Sequence, residues 1–339
     1  MRKSHVKNGY SQLRRCGTYD HMSLTGLDLD HWKDFKFNPE RIKKMQAGSE
    51  IIINFINIAL SQGLLRSDLL STENLTELST RLIDTQIPTA ARKVKGLIEM
   101  DLSPQNLQTY KCELRWLGHI ATYIKKFDQL TLPAQLELWQ VAGGTIAKEL
   151  VLKNTPIQDG WTVKNIQITK EDSLLTRKIW MLGHGSGLWV YMLDFAFGNQ
   201  KLPDTYHRGS QVYGLAFPYP GLTLGRILFK ELHLKPAPAV NNLNVFDSIL
   251  ALKKFLANIY THNIFIQKIP FTLIDMRATM FSEGLIISDT SSDHISISAG
   301  GEKKYYKDIN HHWELVAESD DKNHFFNIIF SKDQYYLIN

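Results

Sequence analysis

Apolar positions along the chain fall into two regimes. From Asn38 to about residue 150 they recur every three or four residues, the spacing that lines one face of a helix. Asn38 supplies a cap, Pro39 suits the first helical position and Gly63 stops the run, which predicts a helix to about Gln62 with Ile52, Phe55, Ile56, Ala59 and Leu60 on one face. Ser71 opens the next, with Leu75, Leu78, Leu82 and Ile83 in register up to Asp84. Pro88 marks a boundary before a short helix over 90–100 with Val94, Leu97 and Ile98 inward. Ser103 and Pro104 start a longer one carrying Leu107, Leu114, Leu117, Ile120, Ala121 and Ile124 as a stripe. A last helix runs from about Pro133 toward Glu149 and is loosened at Gly143-Gly144. Residues 38–150 therefore read as a helical layer.

After Thr155-Pro156 the period shortens to two. Val163, Ile166 and Ile168 alternate, followed by strand runs over 176–182, 188–197, 211–217 and 222–234. Pro203, Pro218, Pro220 and Gly221 separate them as turns, and connections this short indicate an antiparallel sheet over 151–242. Gly183-His184-Gly185-Ser186-Gly187 joins two aromatic and β-branched runs as the turn of a central hairpin. On that reading Trp189 is a packing residue, while His184 and Ser186 are exposed turn positions whose replacement by Ala costs within about 0.5 kcal/mol. A helix is predicted over 243–258. Short strands over 271–275, 285–288, 295–298, 313–318, 325–330 and 335–338 then form a small meander. The fold class is α+β: an N-terminal helical layer, a central antiparallel sheet, and a helix with a C-terminal β module over 243–339.

Composition changes this picture little. A net charge of +5 over 339 residues is too small and too dispersed to mark a nucleic-acid surface. Residues 1–37, with Arg2, Lys3, Lys7, Arg14 and Arg15, are expected to form a basic, flexible arm. Cys16 and Cys112 are the only cysteines, so no disulfide framework and no Cys-based zinc site can form within the chain, and a cytoplasmic location is expected. The longest apolar run, 51–60, is broken by Asn54 and Asn57 and is short of a membrane span.

Candidate chemistry is sparse. The 183–187 loop matches neither a dinucleotide fingerprint, which needs a glycine where Leu188 stands and a helix after it, nor a hydrolase elbow, since His184 and Leu188 occupy the glycine positions around Ser186. His294, His311, His312 and His324 lack the helical pair spacing of a zinc protease. Cys112 and His119 lie on an apolar helix face and read as packing residues, as do most of the tryptophans. Arg81, Asp84 and Gln86 crowd a helix end before Pro88, where an Arg81 to Asp84 tie across one turn is the simplest reading.

Taken in order, Arg81, Asp84, Gln86, Pro88 and Ala91, in a pattern like D-x-Q-x-P-x-x-A, are followed by Thr176-Arg177, Trp180, Leu182-Gly183 and Gly185-Ser186-Gly187. Trp189, Leu193-Asp194-Phe195, Tyr219-Pro220-Gly221, Pro270 and Trp313-Glu314-Leu315 continue the series. Over residues 45–338 this resembles the region that follows the finger in the bacterial SWIM zinc-finger family. The finger, C-x-C then C-x-H, is absent here, so the zinc and the nucleic-acid or protein contacts it implies pass to no residue of this chain. Relatives are similar to proteins encoded beside MoxR-type AAA ATPases and von Willebrand A proteins, which implies an accessory role. The expected function is a non-catalytic, cytoplasmic protein-binding adaptor or scaffold without cofactor or metal, with a MoxR-type AAA ATPase or von Willebrand A protein as the implied partner. Arg81, Asp84, Gln86, His184 and Ser186 are its expected binding residues. Nucleic-acid binding through the basic arm and hydrolysis by Ser186 with His184 are the alternatives.

Overall fold

The first two helices of the N-terminal layer form where a side-chain cap and an apolar stripe coincide. In α1 (Pro39–Gln62) the Asn38 side chain accepts from the backbone N–H groups of Glu40 and Arg41 at 3.0 and 3.2 Å, and Gly63 ends the helix at φ +80°. Ser71 caps α2 (Thr72–Asp84) through the Asn74 N–H at 3.3 Å. Then follow α3 (Pro88–Ile98), α4 (Leu107–Lys125), α5 (Leu132–Val141) and the short α6 (Lys148–Val151). The structure, a computed structural model, describes residues 30–338 apart from 65–67, 101–102, 104–105, 172, 203–205, 235–244, 282–283, 299–315 and 317–324.

The layer shares one core, with Leu82, Val94, Leu117, Ile120 and Leu136 fully or almost fully buried. The expected arm overlaps this core. Residues 30–37 are packed: Trp32 is 0% exposed and its indole donates to Asn154 Oδ1 at 2.8 Å, while Phe37 meets Phe127 and Trp139 edge-on. Burial of these aromatics outweighs the polar composition of the stretch. The remaining arm, residues 1–29, lies outside the described residues.

The central sheet is wholly antiparallel, in order β3-β2-β1-β4-β5, from β1 (Ile157–Glu171), β2 (Leu174–Gly183), β3 (Trp189–Phe197), β4 (Gln211–Pro218) and β5 (Ile227–Leu234). The 183–187 loop closes the β2–β3 hairpin with Leu182 opposite Trp189. Successive β2 side chains alternate between two cores. Ile179 and Met181 join Trp161, Val163 and Val190, whereas Trp180 and Leu182 join Trp189, Ile329 and Ile338 on the opposite face. The helical core reaches this sheet through Phe217, Tyr219, Leu215 and Leu228 of β4, its following turn and β5.

The C-terminal region departs from a simple meander. It is a mixed seven-stranded sheet in the order β6-β7-β11-β12-β10-β9-β8, with parallel pairs β6·β7 and β10·β12. Its strands are β6 (Val245–Phe246), β7 (Lys268–Leu273), β8 (Arg277–Phe281), β9 (Gly284–Ser288), β10 (His294–Ile297), β11 (Phe326–Ser331) and β12 (Gln334–Leu337). The helix expected over 243–258 is α7 (Ile249–His262), displaced because Ser248 is its cap and residues 245–246 pair with β7. Pro270 is accommodated inside β7 because β6 pairs only with Thr272 and Leu273. The strand expected over 313–318 lies outside the described residues, except for Val316.

Candidate functional site

The 183–187 loop is folded around a carboxylate. Asp159 of β1, 7% exposed, accepts from the N–H groups of Gly160 and Gly185 at 2.7 and 2.8 Å on Oδ1, and from the N–H and hydroxyl of Ser186 at 2.9 and 2.6 Å on Oδ2. A Cβ at Gly183 would overlap Ser186 Oγ and Asp159 Oδ2, which is why this position is glycine. His184, 3% exposed, pairs through Nε2 with the Thr162 hydroxyl. His184 and Ser186 are therefore not exposed turn positions: both are tied into β1, His184 through Thr162 and Ser186 through the buried carboxylate of Asp159, which requires donors. The Ser186 hydroxyl is directed at an acid and not at the imidazole, unlike a nucleophile paired with its base.

The hairpin also forms one wall of a cleft of about 450 Å³. Thr89 and Arg92 of α3, Glu137, Gln140 and Val141 of α5, Lys178 and Trp180 of β2, and Trp189, Tyr191 and Leu193 of β3 line it. The 219–226 turn and residues 265–270 close the rest, so the helical layer and both sheets meet there. Arg92, Lys178, Arg226 and Lys268 face a single acid, Glu137.

Aromatic rings position two of these cations. Lys178 Nζ lies 4.0 Å from the centre of the Trp180 ring and 3.6 Å from that of Tyr191, and the Arg226 guanidinium lies 4.0 Å over Tyr219. Arg226 makes no ion pair with a carboxylate among the described residues. Three residues that line the cleft also carry a buried donor, Trp180 Nε1, Trp189 Nε1 and Arg226 Nε, with no acceptor among the described residues, a deficit of about 1–3 kcal/mol for each such group. By contrast, Arg92 reaches Glu171 at 3.6 Å, and Lys268 donates to Gln167 at 3.2 Å.

Glu137 is engaged within the protein. Its carboxyl accepts from the Leu222 N–H at 3.2 Å and is held by Asn263, and a Cβ at Gly221 would overlap it. Although part of this side chain lines the cleft, desolvation pushes the carboxyl pKa up from 4.5, against the hydrogen bonds of Asn263 and Leu222. Burial likewise pushes Tyr191 up to about 12, with Glu137 adding to the rise and Arg226 opposing it.

A raised carboxyl means that the folded chain holds a proton that the unfolded chain has released. Stability should therefore fall as pH rises from the unfolded carboxyl value through the folded one. Glu137→Gln is expected to remove that slope while keeping an acceptor for Leu222, as read from urea melts between about pH 4 and pH 8. An unchanged slope would show that Glu137 is ionised in the folded chain.

A second cavity, about 280 Å³, lies between α4, α7 and the β11–β12 turn. Its charges are paired: Glu113 meets Lys93 and Lys332, both at 2.9 Å, and Arg115 meets Asp333 at 2.8 Å. Burial alone would raise the Glu113 pKa, but the two lysines outweigh it and hold the carboxyl below its ordinary value. Cys112, 7% exposed, donates to Asp333, and burial followed by that bond pushes its thiol up to about 11. Alkylation in a Cys16→Ser background should thus run on the order of a hundredfold slower in the folded than in the unfolded chain. Equal rates by mass spectrometry would contradict the closed thiol.

The expected binding residues do not converge. Arg81 and Asp84 are exposed on α2, and Arg81 reaches Glu77, four residues back, at 3.7 Å rather than Asp84. Gln86 sits at φ +61° and its carbonyl accepts from Arg41 at 3.2 Å, whereas His184 and Ser186 bond to β1. Of the expected histidines, His294 is in β10, and His311, His312 and His324 lie outside the described residues. No cluster of three His, Cys, Asp or Glu suited to a metal occurs among the described residues, and no helix among them is long and apolar enough to cross a membrane. Sequence reading missed Lys178, Glu137, Tyr191 and Arg226; the one available signal was a lysine interrupting the apolar run of β2. No family model, no curated protein and no solved structure matches this chain.

Proposed function

We propose that this chain is a non-catalytic binding protein, an adaptor or scaffold, and that the cleft around Arg226 is where it recognises an anionic group. The observation that carries this is Arg226 itself: an arginine laid on Tyr219, with no carboxylate partner among the described residues, in a concavity where all three layers converge. A structural arginine in such a place is ordinarily paired, whereas a recognition arginine keeps its fork for the ligand. The non-catalytic part is supported by Ser186 bonding to Asp159 and by the high thiol pKa of Cys112. The resemblance to the SWIM family supports a MoxR-type AAA ATPase or von Willebrand A protein as partner, in the cytoplasm.

The test is to mix the purified chain with the MoxR-type ATPase and the von Willebrand A protein of the same genome and measure mass by light scattering. A complex with either, weakened at least tenfold by Arg226→Glu, is the expected result. A folded chain that joins neither protein would remove these partners, and a complex indifferent to Arg226→Glu would remove the cleft from the interface.

A further inference from the structure

Depth and chemistry of the cleft define its occupant more closely. We infer that the cleft takes a small organic oxyanion, a flat apolar body bearing one phosphate or carboxylate, and so acts as an effector pocket of the adaptor. The inference rests on the cleft being a binding site and is independent of which protein is the partner.

A volume of about 450 Å³ lies within the ~300–1,000 Å³ typical of small-molecule pockets. Trp180, Trp189, Tyr219 and Phe265 supply the apolar and aromatic surface such a body needs. Lys178 and Arg226 supply the charge, both beside Tyr191: Lys178 lies over its ring, and Arg226 is bridged to it through the backbone. The Tyr219 ring orients the Arg226 guanidinium without neutralising it, so its positive charge remains in the concavity. Arginine presents a planar fork that matches two oxygens of a carboxylate or phosphate, which gives the anion a preferred seat at Arg226. Glu137 is directed instead to the Leu222 N–H and Asn263.

Calorimetry on the full chain with phenyl phosphate, benzoate, inorganic phosphate and benzyl alcohol tests this. At least one of the two aromatic anions should bind, inorganic phosphate should bind about tenfold or more weakly, and benzyl alcohol should not bind measurably. Comparison of phenyl phosphate with benzoate identifies which oxyanion is preferred. Arg226→Ala should weaken the aromatic anion about tenfold or more, the scale of lost charge-assisted hydrogen bonds, and Arg226→Lys should fall between. Lys178→Gln supplies an independent variant should Arg226→Ala melt early, and it should weaken binding in the same direction. Failure of both aromatic anions to bind the folded chain, equal binding of benzyl alcohol, or tighter binding of hexaglutamate than of either anion would overturn the inference. If the anions fail while Arg226→Glu still disrupts a partner complex, the effector pocket falls and the adaptor reading stands. If the anions bind and no complex forms, the reverse holds.

Discussion

Trp189→Ala should destabilise the chain by about 3–5 kcal/mol, the range for truncating a buried aromatic. Trp189 is 7% exposed, opens β3 opposite Leu182, and packs with Trp180, Ile329 and Ile338. It therefore belongs to the apolar contact between the central sheet and the C-terminal sheet, as well as to the cleft wall. Removing the indole leaves a void that the strands cannot close without breaking their pairing. Urea melts should show a lower midpoint for both sheets together; a shift under about 1 kcal/mol would mean that the two sheets do not depend on this contact.

Asp159→Asn should cost about 3 kcal/mol or more, since the change turns an acceptor of charge-assisted bonds into an amide that presents its own donor to the Ser186 N–H and hydroxyl. The bonds at Gly160 and Gly185 lose their charge at the same time. Ser186→Ala removes one bond and should cost about 1–2 kcal/mol, above the half kilocalorie expected of an exposed turn. Thermal melts in parallel distinguish the cases. Variants at Asp159 and Ser186 that melt with the parent would show that the loop does not depend on its carboxylate.

Periodicity made the helices and the central sheet legible because each is a local signal: Asn38 with Pro39, Ser71, and the alternation of Ile179 with Trp180 depend only on neighbours. The order of the C-terminal sheet was not legible. Its parallel pairs bring β10 beside β12 and β6 beside β7, and no spacing along the chain encodes which distant strands meet. The role of the 183–187 loop was hidden for a related reason, since its partner Asp159 lies 26 residues before Gly185. Arg226 falls within the strand run expected over 222–234 and Glu137 within the last helix of the layer; only folding places both on one cleft. Trp32 was misread because a polar, glycine-containing stretch concealed an aromatic run that joins the core.

The central claim, that the cleft is the ligand site, is tested most directly by the indole N–H resonances of the chain titrated with phenyl phosphate. Trp180 and Trp189 line the cleft, while Trp32 and Trp161 are buried in two other cores. Assigned by single Trp→Phe variants, the Trp180 and Trp189 signals should move in a saturable way and lose that response in Arg226→Ala, with Trp32 and Trp161 unmoved. Saturable movement of Trp32 or Trp161 with Trp180 and Trp189 still would place the ligand elsewhere and contradict the claim.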